Sequence, residues 1–148
     1  MKFVNANGRA ALLEGESVYF LSEISGGSVP DDPQRALEES WERIVGLFAI
    51  GSYDSGIDLA SVQLGPPVPS PRAVFGIGLN YRDHASEAGM EIPPVPPVFT
   101  KFPTSICGPY DDLIIPSEHA KVDYEAELVF VVGRPAKNVA AADALEYL

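Results

Sequence analysis

The sequence predicts an α+β fold made mainly of strands and divided between two domains. Three observations support this fold class: a turn pair Asn7-Gly8 between short apolar runs, a helical apolar repeat over residues 33–50, and a proline-rich stretch at 66–72 followed by more strand-like runs. We therefore expect an N-terminal domain at residues 1–65, a proline-rich linker at 66–72 and a second domain at 73–148.

The first 65 residues predict a small sheet with one helix. MKFVNA and RAALL flank the Asn7-Gly8 turn, and SVYFLSEI is the third predicted strand. The helix is expected to begin at Asp31-Asp32-Pro33, with an acidic N-cap and proline in the first turn, and to end at Gly51. Glu39 and Arg43 lie four residues apart and are predicted to pair. The apolar stripe predicted to face the sheet is Leu37, Trp41, Ile44, Val45 and Phe48.

The second domain reads as a series of strands with two helical segments. The predicted strands are AVFGIGLN, VFTKFP, DLIIP and VDYEAELVFVVG; the helical segments are YRDHASEAG and NVAAADALEYL, the latter capped by Asn138. Gly76 and Gly78 lack the third glycine and the strand–helix–strand context of a dinucleotide site, so we expect them to permit close backbone approach.

Composition narrows the classes of partner. The chain of 148 residues has 10 basic and 21 acidic side chains, a net charge of −11, and 46% hydrophobic residues. Such an acidic globular chain is not expected to bind nucleic acid or an anionic membrane surface, whereas a cation would suit it. The single Cys107 fits a reducing compartment, and the absence of a signal pattern or a long apolar run leads us to expect a cytoplasmic protein.

Two pairs of side chains could carry chemistry. Glu125 and Glu127 fall on one face of the predicted strand 122–133, about 6.6–7 Å apart at Cα, where they could share a hard divalent cation or simply face solvent. His84 and Glu87 fall on one helical face, where the carboxylate could orient the imidazole as a general base or the two could form an ordinary surface pair. Spacing alone favours the plainer reading of each pair; His119 is assigned to the surface.

Three stretches in order resemble the fumarylacetoacetate hydrolase family: GLNYRDHASEAG, VFTKFPTSICGPYDDLIIP and VDYEAELVFVVGRPAKNV. The resemblance covers residues 71 to 148, and the first 70 resemble the variable domain that often precedes it. It implies a mixed, rolled β-sheet around the site, of which this chain would hold the first part. The resemblance also changes the interpretation of both pairs. It implies that Glu125 and Glu127 are metal ligands and that His84 and Glu87 are catalytic.

The resemblance further implies a reaction. Family members cleave or rearrange small keto acids, so we expect C–C hydrolysis of an acylpyruvate or diketo acid through a metal-chelated enolate and a His84-activated water. The metal would be Mg²⁺ or Mn²⁺, with Ca²⁺ possible. Lys101 would supply positive charge near the substrate, and Asn80 and Tyr81 would shape its pocket. An isomerase or decarboxylase on the same scaffold is the nearest alternative, and a non-catalytic assembly domain is the other.

The C-terminal end leads us to expect a fragment of a longer polypeptide. The last predicted helix carries Leu145, Tyr147 and Leu148 with no glycine stop. By resemblance, a third metal carboxylate would lie beyond Leu148, and the complete protein would be a homodimer. The chain alone is therefore expected to hold two of three protein ligands and to be inactive by itself.

Overall fold

A computed structural model describes residues 1–51, 53–115, 117 and 122–148. These residues form two compact units, Met1–Asp111 and Asp112–Leu148. The predicted surface residue His119 and the Pro116 end of the predicted DLIIP strand lie outside the described residues. The described residues contain seven strands and three α-helices, which confirms the predicted α+β class.

The N-terminal sheet in the first unit has five antiparallel strands; across the sheet, the fourth strand in sequence is followed by the third, the second, the first and the fifth. Asn7 and Gly8 have φ values of 54° and 78°, the left-handed pair that a tight hairpin turn requires. The third predicted strand is shorter than expected, because LSEI turns into the short helix α1 (Leu21–Ile24). The strands are β1 (Lys2–Ala6), β2 (Arg9–Glu14), β3 (Ser17–Phe20), β4 (Ile57–Asp58) and β5 (Leu64–Gly65).

Helix α2 (Pro33–Ile50) begins and ends where the capping signals predict. The Asp32 carboxylate accepts a hydrogen bond of 2.8 Å from the Arg35 backbone N–H, which satisfies one of the helix's free donors. Gly51 ends the helix with φ of 84°, a conformation that glycine adopts without a Cβ penalty.

The buried face of α2 differs from the predicted stripe. Ala36, Ile44 and Leu47 are buried against the sheet, whereas Trp41 and Val45 are 44% and 47% exposed. Ser40, with φ of −139° and ψ of 16°, departs from helical geometry, yet the buried positions keep helical spacing on both sides of it. Trp41 and Val45 lie at the edge of the predicted stripe farthest from these buried positions, so the predicted stripe was wrong at both.

The predicted Glu39–Arg43 pair was also wrong. Glu39 instead accepts from Arg35, four residues before it, at 2.9 Å. Arg43 donates to the Ser28 carbonyl oxygen at 2.8 Å.

The second sheet of this unit is the hairpin of β6 (Val74–Ile77) and β7 (Val98–Lys101). The strands are antiparallel, with Val74 opposite Lys101 and Ile77 opposite Val98. Their connection carries helix α3 (Arg82–Glu87). The strands and helix predicted for this stretch are confirmed. Both sheets belong to the unit Met1–Asp111, so the domain division at residues 66–72 stays a prediction.

Gly76 lies where a side chain would displace a neighbouring ring. A Cβ on Gly76 would meet the ring of Phe99, the residue directly across the ladder. We expect Gly76→Ala to lower the free energy of unfolding by about 1–3 kcal/mol, because the ring must leave its place over the strand. Chemical denaturation measures this change.

Gly46 provides the matched control. It lies within α2, and a Cβ there would have no heavy atom within 4 Å. Gly46→Ala should raise stability by up to about 1 kcal/mol through helix propensity. Equal effects of the two substitutions would contradict the proposed close approach of Phe99.

A surface network ties β2 to the segment before α2. The Arg9 guanidinium donates to Asp31 at 3.0 Å and to Glu23 at 2.9 Å and stacks over Phe20, with its Cζ 3.8 Å from the ring centroid. The Ser22 hydroxyl also donates to Asp31. This hydrogen bond lowers the pKa of Asp31 most, and the contacts with Arg9 lower it further.

This lowered pKa predicts acid sensitivity. Because the folded-state pKa lies below the unfolded one, Asp31 stabilises the fold above its ordinary pKa near ~4 and loses that effect as pH falls through the folded-state pKa. The side chain is 54% exposed, so Asp31→Asn should cost only about 0.5 kcal/mol at neutral pH and should make the acid loss of stability shallower. Denaturant titrations at roughly pH 2 to 7 test this prediction. Asp54→Asn, an exposed control that removes the same charge, should leave the curve of stability against pH unchanged.

The second unit contains less regular structure than predicted. Residues 112–115 and 122–133 form neither helix nor strand, so the predicted strands DLIIP and VDYEAELVFVVG are wrong here. A strand needs a hydrogen-bonding neighbour, and within the described part of this unit no strand lies beside them.

The predicted C-terminal helix is a 3₁₀ helix, Ala141–Tyr147. It begins after Ala140, while Asn138 adopts a left-handed φ of 55° and does not cap it. Along the described ranges, no helix is both long and apolar enough to cross a membrane.

Candidate functional site

The connection between β6 and β7 is closed at its base. The Gly78 N–H donates to the Pro97 carbonyl at 2.8 Å, which extends the hairpin and brings together the two ends of the connection, residues 79–96. A Cβ on Gly78 would come 2.9 Å from the Pro97 ring, so this close approach depends on glycine. The expectation for Gly76 and Gly78 is thus confirmed.

Leu79 turns the chain from β6 towards α3. Its φ of 51° lies in the left-handed region, which is costly for a residue with a branched side chain. Asn80 and Tyr81 follow it directly, and both are exposed. A left-handed leucine has no sequence signature, so this feature could not be predicted. The turn at Leu79 sets the direction of the chain at the two predicted substrate-binding residues.

Helix α3 presents His84 and Glu87 on one face. Ala85 is 1% exposed and anchors the helix, while His84 and Glu87 are both exposed and three residues apart. Gly89, with φ of 63°, ends the helix, and the Met90 N–H donates to the Ala85 carbonyl at 2.9 Å. Among the described residues, the His84 and Glu87 side chains form no hydrogen bond with each other, so the orienting role of Glu87 stays a prediction.

Lys101 lies at the far end of the same hairpin. Three register steps, about 10 Å, separate it from Val98, which lies opposite Ile77 near the start of the α3 connection. Its Nζ is 5.9 Å from the centroid of the Phe99 ring. The Lys101 ammonium group therefore lies near the ring that covers Gly76.

Glu125 and Glu127 belong to the other unit, in the segment without regular structure, and both are exposed. Their neighbour Asp123 accepts a hydrogen bond of 2.8 Å from the Tyr124 N–H, so one of its oxygens is engaged locally. Carboxylate oxygens are the donors that Mg²⁺ and Mn²⁺ prefer, and the chemistry of this pair fits such an ion. Among residues 1–51, 53–115, 117 and 122–148, no group of three His, Cys, Asp or Glu side chains is placed to hold a metal.

Similar proteins place this arrangement in context. A family profile described as fumarylacetoacetate hydrolase, C-terminal, matches residues 73–148. The fumarylacetoacetate hydrolase domain-containing protein 2 homolog of Dictyostelium discoideum is 39% identical over 142 residues, 93% of this chain and 45% of that protein. A mitochondrial oxaloacetate tautomerase of Xenopus laevis is 38% identical over 100 residues, 68% of this chain and 31% of that protein.

Two solved structures share the fold. A Mycobacterium smegmatis protein solved as a candidate HpcE is 33% identical with a TM-score of 0.68, over 79% of this chain and 41% of that one. Maleylpyruvate hydrolase from Sphingobium, solved with manganese and pyruvate, is 22% identical with a TM-score of 0.58, over 79% of this chain and 43% of that one.

The chain thus spans less than half the length of the relatives named here. The family profile begins at residue 73, where the predicted second domain begins, and contains every predicted site residue. With a match over more than half of its residues, the chain belongs to the fumarylacetoacetate hydrolase family.

Proposed function

We propose that this chain carries catalytic residues of a metal-dependent hydrolase that cleaves a C–C bond in a small acylpyruvate or diketo acid. The observation that carries the proposal is the exposed His84–Glu87 face on a short helix held by a closed connection, within a segment that matches the family profile. An imidazole and a carboxylate on one accessible face are suited to proton transfer with a bound water.

His84 acts as the general base in this proposal. It takes a proton from a water whose oxygen attacks the distal carbonyl carbon of the substrate. The C–C bond then breaks, its electron pair passes to the pyruvate portion as an enolate, and the proton is returned to that carbon. Glu87 orients the imidazole, so its effect on turnover is indirect.

Lys101 balances negative charge. Its ammonium group is proposed to lie near the substrate carboxylate or the oxyanion formed by water attack, where a fixed positive charge lowers the barrier. Asn80 and Tyr81, placed by the left-handed Leu79, are proposed to shape the pocket for the keto acid.

Glu125 and Glu127 are proposed to hold Mg²⁺ or Mn²⁺, with Ca²⁺ as a weaker fit. When bound, the ion supplies Lewis-acid polarisation of the substrate's carbonyl oxygens. Two carboxylates leave most coordination positions to water, substrate or other ligands, which Mg²⁺ tolerates. The manganese in the maleylpyruvate hydrolase structure is consistent with a divalent ion in this fold.

Oxaloacetate tautomerisation is the second candidate, favoured by the name of the Xenopus relative. In that reaction His84 would move a proton between carbon and the enol oxygen, and no water would add. Decarboxylation of a keto acid is a further variant of the same enolate chemistry.

Product analysis separates these reactions. The 148-residue chain, and a fusion that continues it after Leu148 with the remaining part of the Dictyostelium relative, are incubated with Mg²⁺ or Mn²⁺ and either an acylpyruvate or oxaloacetate. The proposal expects a carboxylic acid and pyruvate from the acylpyruvate. Enol–keto exchange of oxaloacetate without cleavage would replace the hydrolase proposal with the tautomerase. Release of CO₂ would replace the hydrolase proposal with the decarboxylase. Binding without turnover in the fusion would favour the assembly domain.

A homodimer in the cytoplasm is the proposed state of the complete protein. Exposed apolar side chains support association, with Phe102 at 82% and Ile114 at 92% exposed. Light scattering after size-exclusion chromatography measures the oligomeric state. Cell fractionation distinguishes the cytoplasm from mitochondria, the location in the Xenopus relative's name.

A further inference from the structure

The proline-rich stretch at residues 66–71, here called the proline segment, is fastened to the N-terminal domain at both ends. Four of its six residues are proline, so only Val68 and Ser70 have a backbone N–H within it. The Ser70 N–H donates to Oε1 of Gln34, in α2, at 3.1 Å. At the other end, the Pro66 carbonyl accepts from Nδ2 of the buried Asn5, in β1, at 3.0 Å. Two amide side chains therefore hold this segment.

The Gln34 amide is oriented for this contact by a neighbour in its own helix. Its Nε2 donates to Oε1 of Glu38, one turn later in α2, at 2.8 Å. The reverse orientation of the amide would set its oxygen against the carboxylate and its NH₂ group against the Ser70 N–H. Glu38 thus orients Gln34, and Gln34 in turn holds Ser70.

The proline segment leads into the strand that pairs with Lys101. Val74, the first residue of β6, lies four residues after Ser70 and is paired with Lys101 across the hairpin. Four residues span at most about 13–14 Å, and Pro71 fixes one φ angle within this span. The hydrogen bond at Ser70 therefore limits where the Val74–Lys101 pair can lie.

The chain that leaves β7 returns to the same N-terminal sheet. The Ser105 N–H and hydroxyl both donate to the Phe102 carbonyl, at 2.9 and 2.8 Å, which turns the chain just after Lys101. Gly108 then packs against β5, where a Cβ would lie 2.8 Å from the Leu64 carbonyl oxygen. Lys101 thus lies at a hairpin end whose two chain connections both contact the N-terminal sheet or its helix.

We propose that Gln34, acting through Ser70, is a positioning residue for Lys101. The inference rests on the proposed function, in which the Lys101 ammonium group stabilises negative charge on the substrate. Such stabilisation requires a charge that is held in place before the reaction, and a small displacement of it lowers the rate. Gln34 has no proposed contact with the substrate. Its role is to hold the end of the hairpin that carries Lys101.

Gln34→Met tests this role in the fusion protein, because methionine has a similar helix propensity and only a weak thioether acceptor. It should lower kcat for acylpyruvate cleavage about fivefold, the factor that corresponds to one typical hydrogen bond. The same substitution in a Lys101→Met background should have no further effect, since the positioned charge is then absent. Exchanging the pair, Gln34→Glu with Glu38→Gln, keeps the net charge and an acceptor for Ser70 and should restore kcat.

Nuclear magnetic resonance of the ¹⁵N-labelled 148-residue chain follows the same role without an assay of activity. Gln34→Met should speed hydrogen exchange of the Ser70 amide about fivefold, because its acceptor is lost. It should also shift the amide signals of residues 74–77 and 98–101. Gln63→Met is the matched control and should do neither: it makes the same chemical change at an exposed glutamine that contacts Asn7 through backbone atoms.

Three results would overturn the positioning role: unchanged Ser70 exchange and hairpin signals in Gln34→Met, a loss of kcat that persists undiminished in the Lys101→Met background, or equal effects of Gln63→Met. An unchanged kcat in Lys101→Met would overturn it as well, since Gln34 would then have no catalytic group to position. A parent fusion that cleaves no acylpyruvate would instead reject the proposed function, and the amide signals would still decide whether Gln34 holds the hairpin.

Discussion

Replacing Glu125 or Glu127 with Gln is expected to abolish most of the Mn²⁺ binding of the chain. Each carboxylate is proposed as a direct ligand, and Gln keeps the size of the side chain while removing its charge. Loss of even an outer partner of a metal site costs about 10–100-fold in affinity, so loss of a direct ligand should cost at least ~100-fold. The electron paramagnetic resonance signal of free Mn²⁺ measures the bound fraction without any assay of activity.

Glu146→Gln is the matched control for this experiment. Glu146 is also an exposed carboxylate of the second unit, in the 3₁₀ helix, and its loss should leave Mn²⁺ affinity unchanged. Thermal stability gives an independent reading, since a ligand at 100 times its Kd stabilises the folded state by about 2.7 kcal/mol. Equal losses of affinity in all three variants would mean that Mn²⁺ responds only to the net charge of −11.

His84→Asn is expected to lower kcat for acylpyruvate cleavage by about 10²–10⁴-fold, because the proton of the attacking water loses its acceptor. Mn²⁺ affinity should not change, since His84 is not a proposed ligand. The measurement is steady-state kinetics of the fusion that supplies the rest of the Dictyostelium relative.

Two further variants on α3 separate catalysis from helix stability. Asp83→Asn changes an exposed residue of the same helix and should leave kcat unchanged. Glu87→Gln should lower kcat less than His84→Asn, since its proposed effect is only to orient the imidazole. A kcat in His84→Asn equal to that of Asp83→Asn would remove His84 from the mechanism.

Local signals predicted the N-terminal half well. The Asn7-Gly8 turn and the caps Asp32 and Gly51 each depend on a few adjacent residues, and each is found where it was predicted. The prediction failed along α2, where the sequence offers more than one face and more than one partner. Trp41 and Val45 of the predicted stripe are exposed, and Glu39 pairs with Arg35 rather than with Arg43, although both lie four residues from it.

The strand predicted at 122–133 failed for a different reason. Its alternation is a property of the segment, but a strand also needs a hydrogen-bonded neighbour, and alternation contains no information about that neighbour. Tyr124 and Leu128 of its apolar face are 89% and 70% exposed. The face that carries Glu125 and Glu127 therefore remains a prediction from the sequence.

The site residues proposed on the hairpin come from the order of the sequence motifs, and the roles of His84, Glu87 and Lys101 stay predictions. The left-handed Leu79 and the Phe99 ring over Gly76 depend on backbone conformation and strand register, which the sequence does not state.

The most direct test of the proposed hydrolase is cleavage of an acylpyruvate in ¹⁸O-labelled water, with the fusion protein, Mn²⁺ and mass spectrometry of the products. Attack of a His84-activated water on the distal carbonyl predicts one labelled oxygen in the carboxylic acid product, and this labelled acid should form about 10²–10⁴-fold more slowly when His84→Asn replaces the parent protein. Formation of an unlabelled acid, or label incorporation at the same rate in His84→Asn, would contradict the account.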